Sequence, residues 1–141
     1  MIKIYLRKEG VTLNDVLIVS AARLPIGRFG GALKEVSDWD LGTIVIAEAL
    51  KRAGLRGNEV DEVIMAHGFR TGDLPANSSR AVALRAGIQI EIPQFTINKA
   101  CGGSLRAVSL AAQIIKAGES DIIVAGGMES MSRAAYILPK V

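Results

Sequence analysis

Short apolar runs alternate along the chain with longer segments that carry helix-capping residues at their ends. Four runs predict strands, at residues 15–22, 62–68, 93–99 and 121–127. Three intervening segments predict helices, which begin at Ser37 or Asp38, at Asn77 and at Cys101, and which end at Gly54, Gly87 and Gly118. This alternation indicates an α/β fold with right-handed crossovers and a mostly parallel sheet. The nearly unbroken run at 15–22 is typical of a strand that is buried on both faces.

The third predicted helix is apolar around most of its circumference. Between residues 105 and 115, only Arg106, Ser109 and Gln113 interrupt the apolar side chains. A helix with one face in water normally shows a polar stripe on that face. We therefore expect a second domain or another chain to pack over this helix.

Composition narrows the function classes. The 141 residues are 50% hydrophobic and 22% charged, with a net charge of +3, which suits one domain with its own core. The basic residues are scattered and do not alternate with aromatic residues, which disfavours nucleic-acid binding. No apolar stretch has the length of a membrane span, and a single cysteine fits a reducing compartment. These features predict a cytoplasmic protein that does not insert into membranes.

Residues 1–14 precede the first predicted strand and contain Lys3, Arg7, Lys8 and Glu9. They lack the hydrophobic block and the cleavage site of a signal peptide. We expect a short extension that could add a strand to an edge of the sheet. A mitochondrial targeting segment is the lesser alternative.

The only cysteine, Cys101, lies where the third predicted strand passes into the third predicted helix. Unpaired N–H groups and the positive end of a helix dipole favour the reactive thiolate at such a position. Gly102 and Gly103 follow, so that a substrate and an oxyanion could approach the backbone. Gly126 and Gly127 would lie beside this turn if their strand were the neighbour. These features suit acyl transfer, although a buried, inert cysteine is an equally good interpretation of position and composition alone.

Other candidate sites are weaker. His67, the only histidine, ends the second predicted strand, and a structural or loop-positioning role is favoured over that of a base for Cys101. One cysteine and one histidine without local partners do not make a metal site. The glycine-rich loop at 27–31 matches neither the Walker nor the Rossmann spacing, so that it is a poor candidate for a phosphate site.

Three motifs resemble the thiolase family, in the family's order and spacing. They are residues 98–108 (NKACGGSLRAV), 125–132 (AGGMESMS) and 20–31 (SAARLPIGRFGG). The resemblance covers nearly all of the chain from residue 15 onward. It implies an acetyl-CoA acetyltransferase or a 3-ketoacyl-CoA thiolase, a transferase of fatty acid metabolism, and thus favours Cys101 as a nucleophile.

The thiolase resemblance also implies the chemistry. Cys101 would accept an acyl group from acetyl-CoA or a 3-ketoacyl-CoA, and CoA or an acetyl-CoA carbanion would then attack the thioester. The N–H of Cys101 would be one oxyanion donor, and Gly102 and Gly103 would give the thioester room. Coenzyme A thioesters would be substrates, with no permanently bound cofactor. Dimers or tetramers would be expected.

The sequence also departs from the thiolase pattern. Gly102-Gly103-Ser104 replaces the usual Gly-Ser-Gly, and His67 stands where thiolases often have asparagine. Thiolases have two similar α/β halves and a loop domain. The Gly-His-Pro histidine, the second cysteine, the Asn-Glu-Ala-Phe segment and the last strand of the first half have no counterpart here. We therefore expect an N-terminal extension at 1–14 and a thiolase N-terminal domain at 15–141, which ends near the start of the loop domain.

Two functions follow from this pattern. The first is an acyltransferase fragment that is inactive alone and is completed by a missing half or a separate chain. The second is a non-catalytic module that keeps the half-fold for partner binding or oligomerisation. A ketoacyl-synthase-like condensing enzyme shares the fold, but residues 128–132 favour a thiolase.

Overall fold

The computed structural model describes residues 2–6, 16–69, 77–136 and 139 of the chain, with the backbone alone for 2–6. These residues form five strands and three α-helices in alternation after the first two strands. In chain order they are β1 (Ile2–Leu6), β2 (Leu17–Ala22), α1 (Asp38–Ala53), β3 (Glu62–Ala66), α2 (Ser78–Arg85), β4 (Gln94–Ile97), α3 (Gly103–Ala117) and β5 (Ile122–Gly127). Among these helices, none is long and apolar enough to cross a membrane.

The strands form one sheet in the order β2-β1-β5-β3-β4. β3 pairs in parallel with both β4 and β5, whereas β1 pairs antiparallel with both β2 and β5. Four of the strands consequently run in the same direction, and β1 alone opposes them. This confirms the predicted α/β fold with a mostly parallel sheet.

The N-terminal segment does form a strand, but the expectation that it would add to an edge is wrong. β1 lies inside the sheet, where Lys3 pairs with Ala21 on one side and with Ala125 on the other. An antiparallel strand fits between two parallel neighbours because both of its edges can hydrogen-bond. Without β1, β2 and β5 would each present an unpaired edge. Residues 7–14, the rest of this predicted extension, lie outside the described residues.

β2 contradicts the prediction of a strand buried on both faces. Leu17, Ile18 and Val19 are 40%, 50% and 38% exposed, whereas Ser20 and Ala22 are buried. The strand is the edge of the sheet, with a neighbour on one side only. Its apolar run therefore reflects an apolar surface on this chain and not a central place in the sheet.

The predicted N-terminal caps of the first two helices are confirmed. Ser37 caps α1 by accepting the N–H of Asp40, and Asn77 caps α2 by accepting the N–H of Arg80. α1 ends at Gly54, whose φ of +69° is the left-handed conformation that favours glycine at this place. Local sequence signals are therefore sufficient to set where these helices begin.

Helices cover both faces of the sheet. α1 and α2 bury one cluster with the sheet, which includes Ile46, Val63 and Val82. α3 packs on the other face against a second cluster, which includes Ile64 and Ile123. The layers are therefore helix, sheet and helix, as the alternating pattern predicts.

α3 buries only a narrow stripe on this chain. Gly103, Ala107, Ala111 and Ile115 recur every four residues and face the sheet. Leu105 lies outside this stripe and is 74% exposed. That a further domain or chain covers the remaining apolar surface stays a prediction.

Candidate active site

Cys101 lies in a short turn at the carboxyl end of β4. The turn is a 3₁₀ helix of residues Ala100–Gly102, so α3 begins two residues later than predicted. Its hydrogen bonds run from Gly102 N–H to the Lys99 carbonyl and from Gly103 N–H to the Ala100 carbonyl. Neither bond uses the N–H of Cys101. The side chain of Cys101 is exposed, which disagrees with a buried structural cysteine.

The two glycines after Cys101 have different surroundings. Apart from the atoms of its neighbours along the chain, no atom lies within 4 Å of the place where a Cβ of Gly102 would be. A Cβ on Gly103 would lie 2.7 Å from the Cβ of Ala66, because α3 begins directly over the end of β3. Gly102 therefore leaves open space beside the thiol, and Gly103 permits close packing of the helix on the sheet.

This difference predicts opposite outcomes for two alanine substitutions. We expect Gly103→Ala to lower the free energy of unfolding by about 1–3 kcal/mol, because helix and sheet must separate to admit the methyl group. Gly102→Ala is the matched control and should change the free energy of unfolding by less than about 0.5 kcal/mol, since Gly102 is exposed and its φ is −89°. Denaturant unfolding of both variants checks this. Equal losses of unfolding free energy in the two variants would show that the close packing of Gly103 on Ala66 does not decide the effect.

The carboxyl ends of three strands meet near this turn, although not in the order expected. β4 and β5 are not neighbours, because β3 lies between them. The N–H of His67 donates to the Ile97 carbonyl, and the N–H of Met128 donates to the Ala66 carbonyl, so that the end of β3 is joined to both. Gly127 nevertheless lies close against Ser104 in the first turn of α3.

Asn98 connects the Cys101 turn to the loop after β3. Its Nδ2 donates to the Gly68 carbonyl at 3.2 Å, and its Oδ1 accepts the N–H of Ala100 at 3.0 Å. The second bond spans two residues, as in an Asx turn. The position of Asn98 two residues before Ala100 is a local sequence signal for the turn. The sequence carries no such signal for the contact of Asn98 with the Gly68 carbonyl in the loop after β3.

Glu129 holds the same loop from the β5 side. Its Oε2 accepts the N–H of Gly68 at 2.8 Å, and its Oε1 accepts the N–H of Phe69 at 3.1 Å. In the sequence, Glu129 stands out only as part of the motif at 125–132. Its contacts join residues about 60 positions apart, for which the local sequence carries no signal.

His67 is buried between two carboxylates. Its Nε2 lies 3.5 Å from Asp38 Oδ2 and 3.4 Å from Glu129 Oε1, and its Nδ1 lies 3.1 Å from Ser78 Oγ. Burial alone would lower the pKa of His67, but the nearby carboxylates of Asp38 and Glu129 raise it to about 9. The imidazole is therefore protonated at neutral pH, and a structural or loop-positioning role for His67 stays a prediction.

Asp38, His67 and Glu129 also bring possible metal-ligand atoms within 4.8 Å of one another. The protonated ring already supplies positive charge between the two carboxylates, and Glu129 uses both oxygens for backbone N–H groups. We therefore interpret this cluster as a buried ion pair that fixes the loop after β3.

A shallow cavity of about 360 Å³ lies at the opposite end of the sheet from Cys101. Its lining includes Asp61, Glu62, Glu119 and Asp121. Burial, with a smaller contribution from the charge of Glu119, raises the pKa of Glu62. This acidic end of the sheet is separate from the thiol and does not suit an anionic ligand.

Comparison with known proteins identifies the fold family. A family profile described as thiolase, N-terminal domain, matches residues 16–141. The chain belongs to the thiolase family. This thiolase-family chain is 53% identical over 126 residues to an acetyl-CoA acetyltransferase of Syntrophomonas wolfei, and 47% identical over 127 residues to one of Cupriavidus necator. These matches cover 89% and 90% of the chain.

A solved structure supports the same assignment for the fold of this thiolase-family chain. The crystal structure of the Bacillus anthracis acetyl-CoA acetyltransferase matches with a TM-score of 0.82 and 38% identity, over 99% of the chain. The chain spans about a third of the length of these relatives, at 32% of each.

Proposed function

We propose that this chain provides the acyl-accepting nucleophile, Cys101, of a thiolase-type acyltransferase that acts on acetyl-CoA or a 3-ketoacyl-CoA. The observation that carries the proposal is the exposed thiol in a turn at the carboxyl end of β4, directly before α3. Membership in the thiolase family supports this assignment, because two of its relatives are acetyl-CoA acetyltransferases.

The proposed reaction has two covalent steps. In thiolysis, the Cys101 thiolate attacks the 3-keto carbonyl, the bond between C2 and C3 breaks, and the two-carbon fragment leaves as an acetyl-CoA carbanion that takes up a proton. The thiolate of CoA then attacks the resulting thioester, and its sulfur takes the acyl group while Cys101 leaves as a thiolate. In the reverse direction, acetyl-CoA loses a proton from C2, and the resulting carbanion attacks the carbonyl of acetylated Cys101. The carbon–carbon bond forms, the bond between the acetyl carbonyl and the Cys101 sulfur breaks, and Cys101 leaves as a thiolate.

The backbone of the Cys101 turn suits the oxyanion of each tetrahedral intermediate. The N–H of Cys101 takes no part in the two hydrogen bonds of the 3₁₀ turn, so it is a candidate donor to the oxyanion. The open space beside Gly102 admits the acyl group. Gly103 acts indirectly: it lets α3 pack closely on the sheet, and the position of α3 determines the position of the turn.

The 141-residue chain alone should turn over slowly. Within the described residues, no side chain hydrogen-bonds to the thiol of Cys101. The only histidine of the sequence, His67, is buried beside two carboxylates. A positioned base contributes about 10²–10⁴ in rate, so turnover without one should be lower by that factor.

A steady-state assay tests this part of the proposal. The purified chain is mixed with acetoacetyl-CoA and CoA, alone and together with the remaining two thirds of a relative such as the Cupriavidus necator enzyme. We expect background turnover for the chain alone and a gain of at least about a hundredfold in the mixture. Robust thiolysis by the chain alone would refute its dependence on another polypeptide segment.

A non-catalytic binding module is the second candidate. The observation that favours it is apolar exposure, at Leu17, Ile18 and Val19 of β2 and at Leu105 of α3. Native mass measurement on the chain with the same complementing polypeptide separates the two candidates. A stable complex in which Cys101 never becomes acylated would favour the binding module.

A further inference from the structure

The residue directly before Cys101 has a strained backbone. Ala100 has a φ of +42°, and it is the only residue other than glycine with positive φ among the described parts of the chain. This left-handed conformation is unfavourable for a residue with a Cβ, and it persists only where the surroundings hold it. The direction in which the chain enters the Cys101 turn depends on this conformation.

Asn98 makes the contacts that hold Ala100 in place. Its Oδ1 accepts the Ala100 N–H, which closes the turn, while its Nδ2 is fixed on the Gly68 carbonyl. One exposed side chain thus joins the strained residue to the loop after β3. If the amide were removed, Ala100 could relax to a negative φ, and the Cys101 turn would change direction.

The loop after β3, which contains Gly68, is itself fixed where it binds Asn98. Glu129 binds the N–H groups of Gly68 and Phe69, and the carboxylate of Glu129 faces the buried, positively charged ring of His67. His67 also faces Asp38 from α1. The loop that binds the exposed amide of Asn98 is therefore itself held in place by buried charged groups.

We propose that Asn98 is a positioning residue for Cys101, which holds Ala100 in the left-handed conformation and so keeps the thiol at the start of α3. The inference rests on the proposed role of Cys101 as the nucleophile. It concerns the reactivity of the thiol and not the binding of an acyl-CoA, so an alkylating reagent can test it separately.

The test measures the rate at which iodoacetamide alkylates Cys101 at neutral pH. The sequence contains one cysteine, so that the measured rate belongs to this thiol alone. Each protein is also alkylated in concentrated guanidinium chloride, which gives the rate of the unfolded chain. We expect folded wild-type protein to react about tenfold faster than the unfolded chain, because the fixed turn presents the exposed thiol at the N-terminal end of α3.

Asn98→Ala should remove most of this acceleration, so that the folded variant reacts nearly as slowly as the unfolded chain. Adding Ala100→Gly to Asn98→Ala should restore most of it, because glycine adopts positive φ without the support of Asn98. This rescue distinguishes positioning from a general loss of structure. Glu91→Gln, at an exposed position on another loop, is the control and should leave the rate unchanged.

Three results would overturn the inference: an unchanged rate in Asn98→Ala, a slow double variant, or a wild-type protein that reacts no faster than its unfolded chain. Thermal melting followed by circular dichroism checks that each variant is folded, which we expect because Asn98 is exposed. If wild-type Cys101 becomes acylated by acetyl-CoA while the Asn98→Ala rate is unchanged, the inference fails and the proposed function stands. If the alkylation results hold without acylation, the proposed function fails instead.

Discussion

Replacing Cys101 by alanine is expected to abolish covalent acyl transfer from acetyl-CoA to the chain. Wild-type protein incubated for hours should gain one acetyl group on the thiol. The group should remain there, because the described residues place no base beside the thiol to speed hydrolysis of the thioester. The variant should react at least about a thousandfold more slowly, since the sequence offers no second thiol. Intact-mass spectrometry followed by peptide mapping measures the gain and its position.

The control for this experiment is the stability of the variant. Cys101 is exposed, so its replacement should change the free energy of unfolding by less than about 0.5 kcal/mol. Cys101→Ser supplies a second variant that keeps the shape of the side chain with a much weaker nucleophile. If either variant still gained the acetyl group, or if wild-type protein carried it at a lysine, Cys101 would not be the acyl acceptor.

The second large effect is expected at His67, as a loss of stability at high pH. The pKa of His67 is raised from 6.5 to about 9 in the folded protein, so folding favours the protonated ring. Its contribution is complete below about pH 6.5 and disappears as the pH rises through about 9. We expect this to cost about 1–3 kcal/mol, with the lower end reflecting the 30% exposure of the Glu129 side chain.

Replacement of His67 by asparagine should remove this pH dependence. At pH 6 the variant should be several kcal/mol less stable than wild type, because Asp38 and Glu129 lose the cation between them. By pH 10 the difference should have narrowed, since the wild-type ring has lost its proton. Urea unfolding across this range provides the measurement.

An exposed ion pair offers the matched control for His67. Glu48→Gln breaks the contact between Glu48 and Arg52, whose side chains are 38% and 55% exposed. It should cost less than about 0.5 kcal/mol at every pH tested. Parallel stability curves for wild type and His67→Asn would show that the ring is neutral in the folded state, contrary to the prediction.

The sequence predicts those parts of the fold that depend on neighbours along the chain. Ser37 and Asn77 cap helices with their own side chains, and Gly54 ends one through its φ angle. These contacts span at most a few residues, so the residue types alone are informative. The alternation of strands and helices follows from the same local signals.

The two strands whose places in the sheet are predicted wrongly, β1 and β2, owe those places to pairing between segments far apart in the sequence. Nothing within residues 15–22 distinguishes an edge strand from a central one, because an apolar run is typical of both a buried strand and a surface awaiting a partner. Likewise, the place of β1 is decided by two strands that come later in the chain. Periodicity predicts that a segment is a strand but not which neighbours it will have.

The candidate site divides in the same way. The position of Cys101 before a helix follows from residues 95–105 alone. The supporting contacts do not, because Asn98, Glu129 and His67 act on the backbone of the loop after β3 or on one another across the sheet. Such contacts require the strand order, which the sequence leaves undetermined.

The position of β1 has a consequence for the order in which the protein folds. Lys3 pairs with Ala125, which lies about 120 residues further along the sequence. Because β1 precedes β5 in the sequence, β1 must wait until β5 has been synthesised before the gap between β2 and β5 can close. Closure of the sheet should be a late, slow step, and a nascent chain should keep two strand edges open until then.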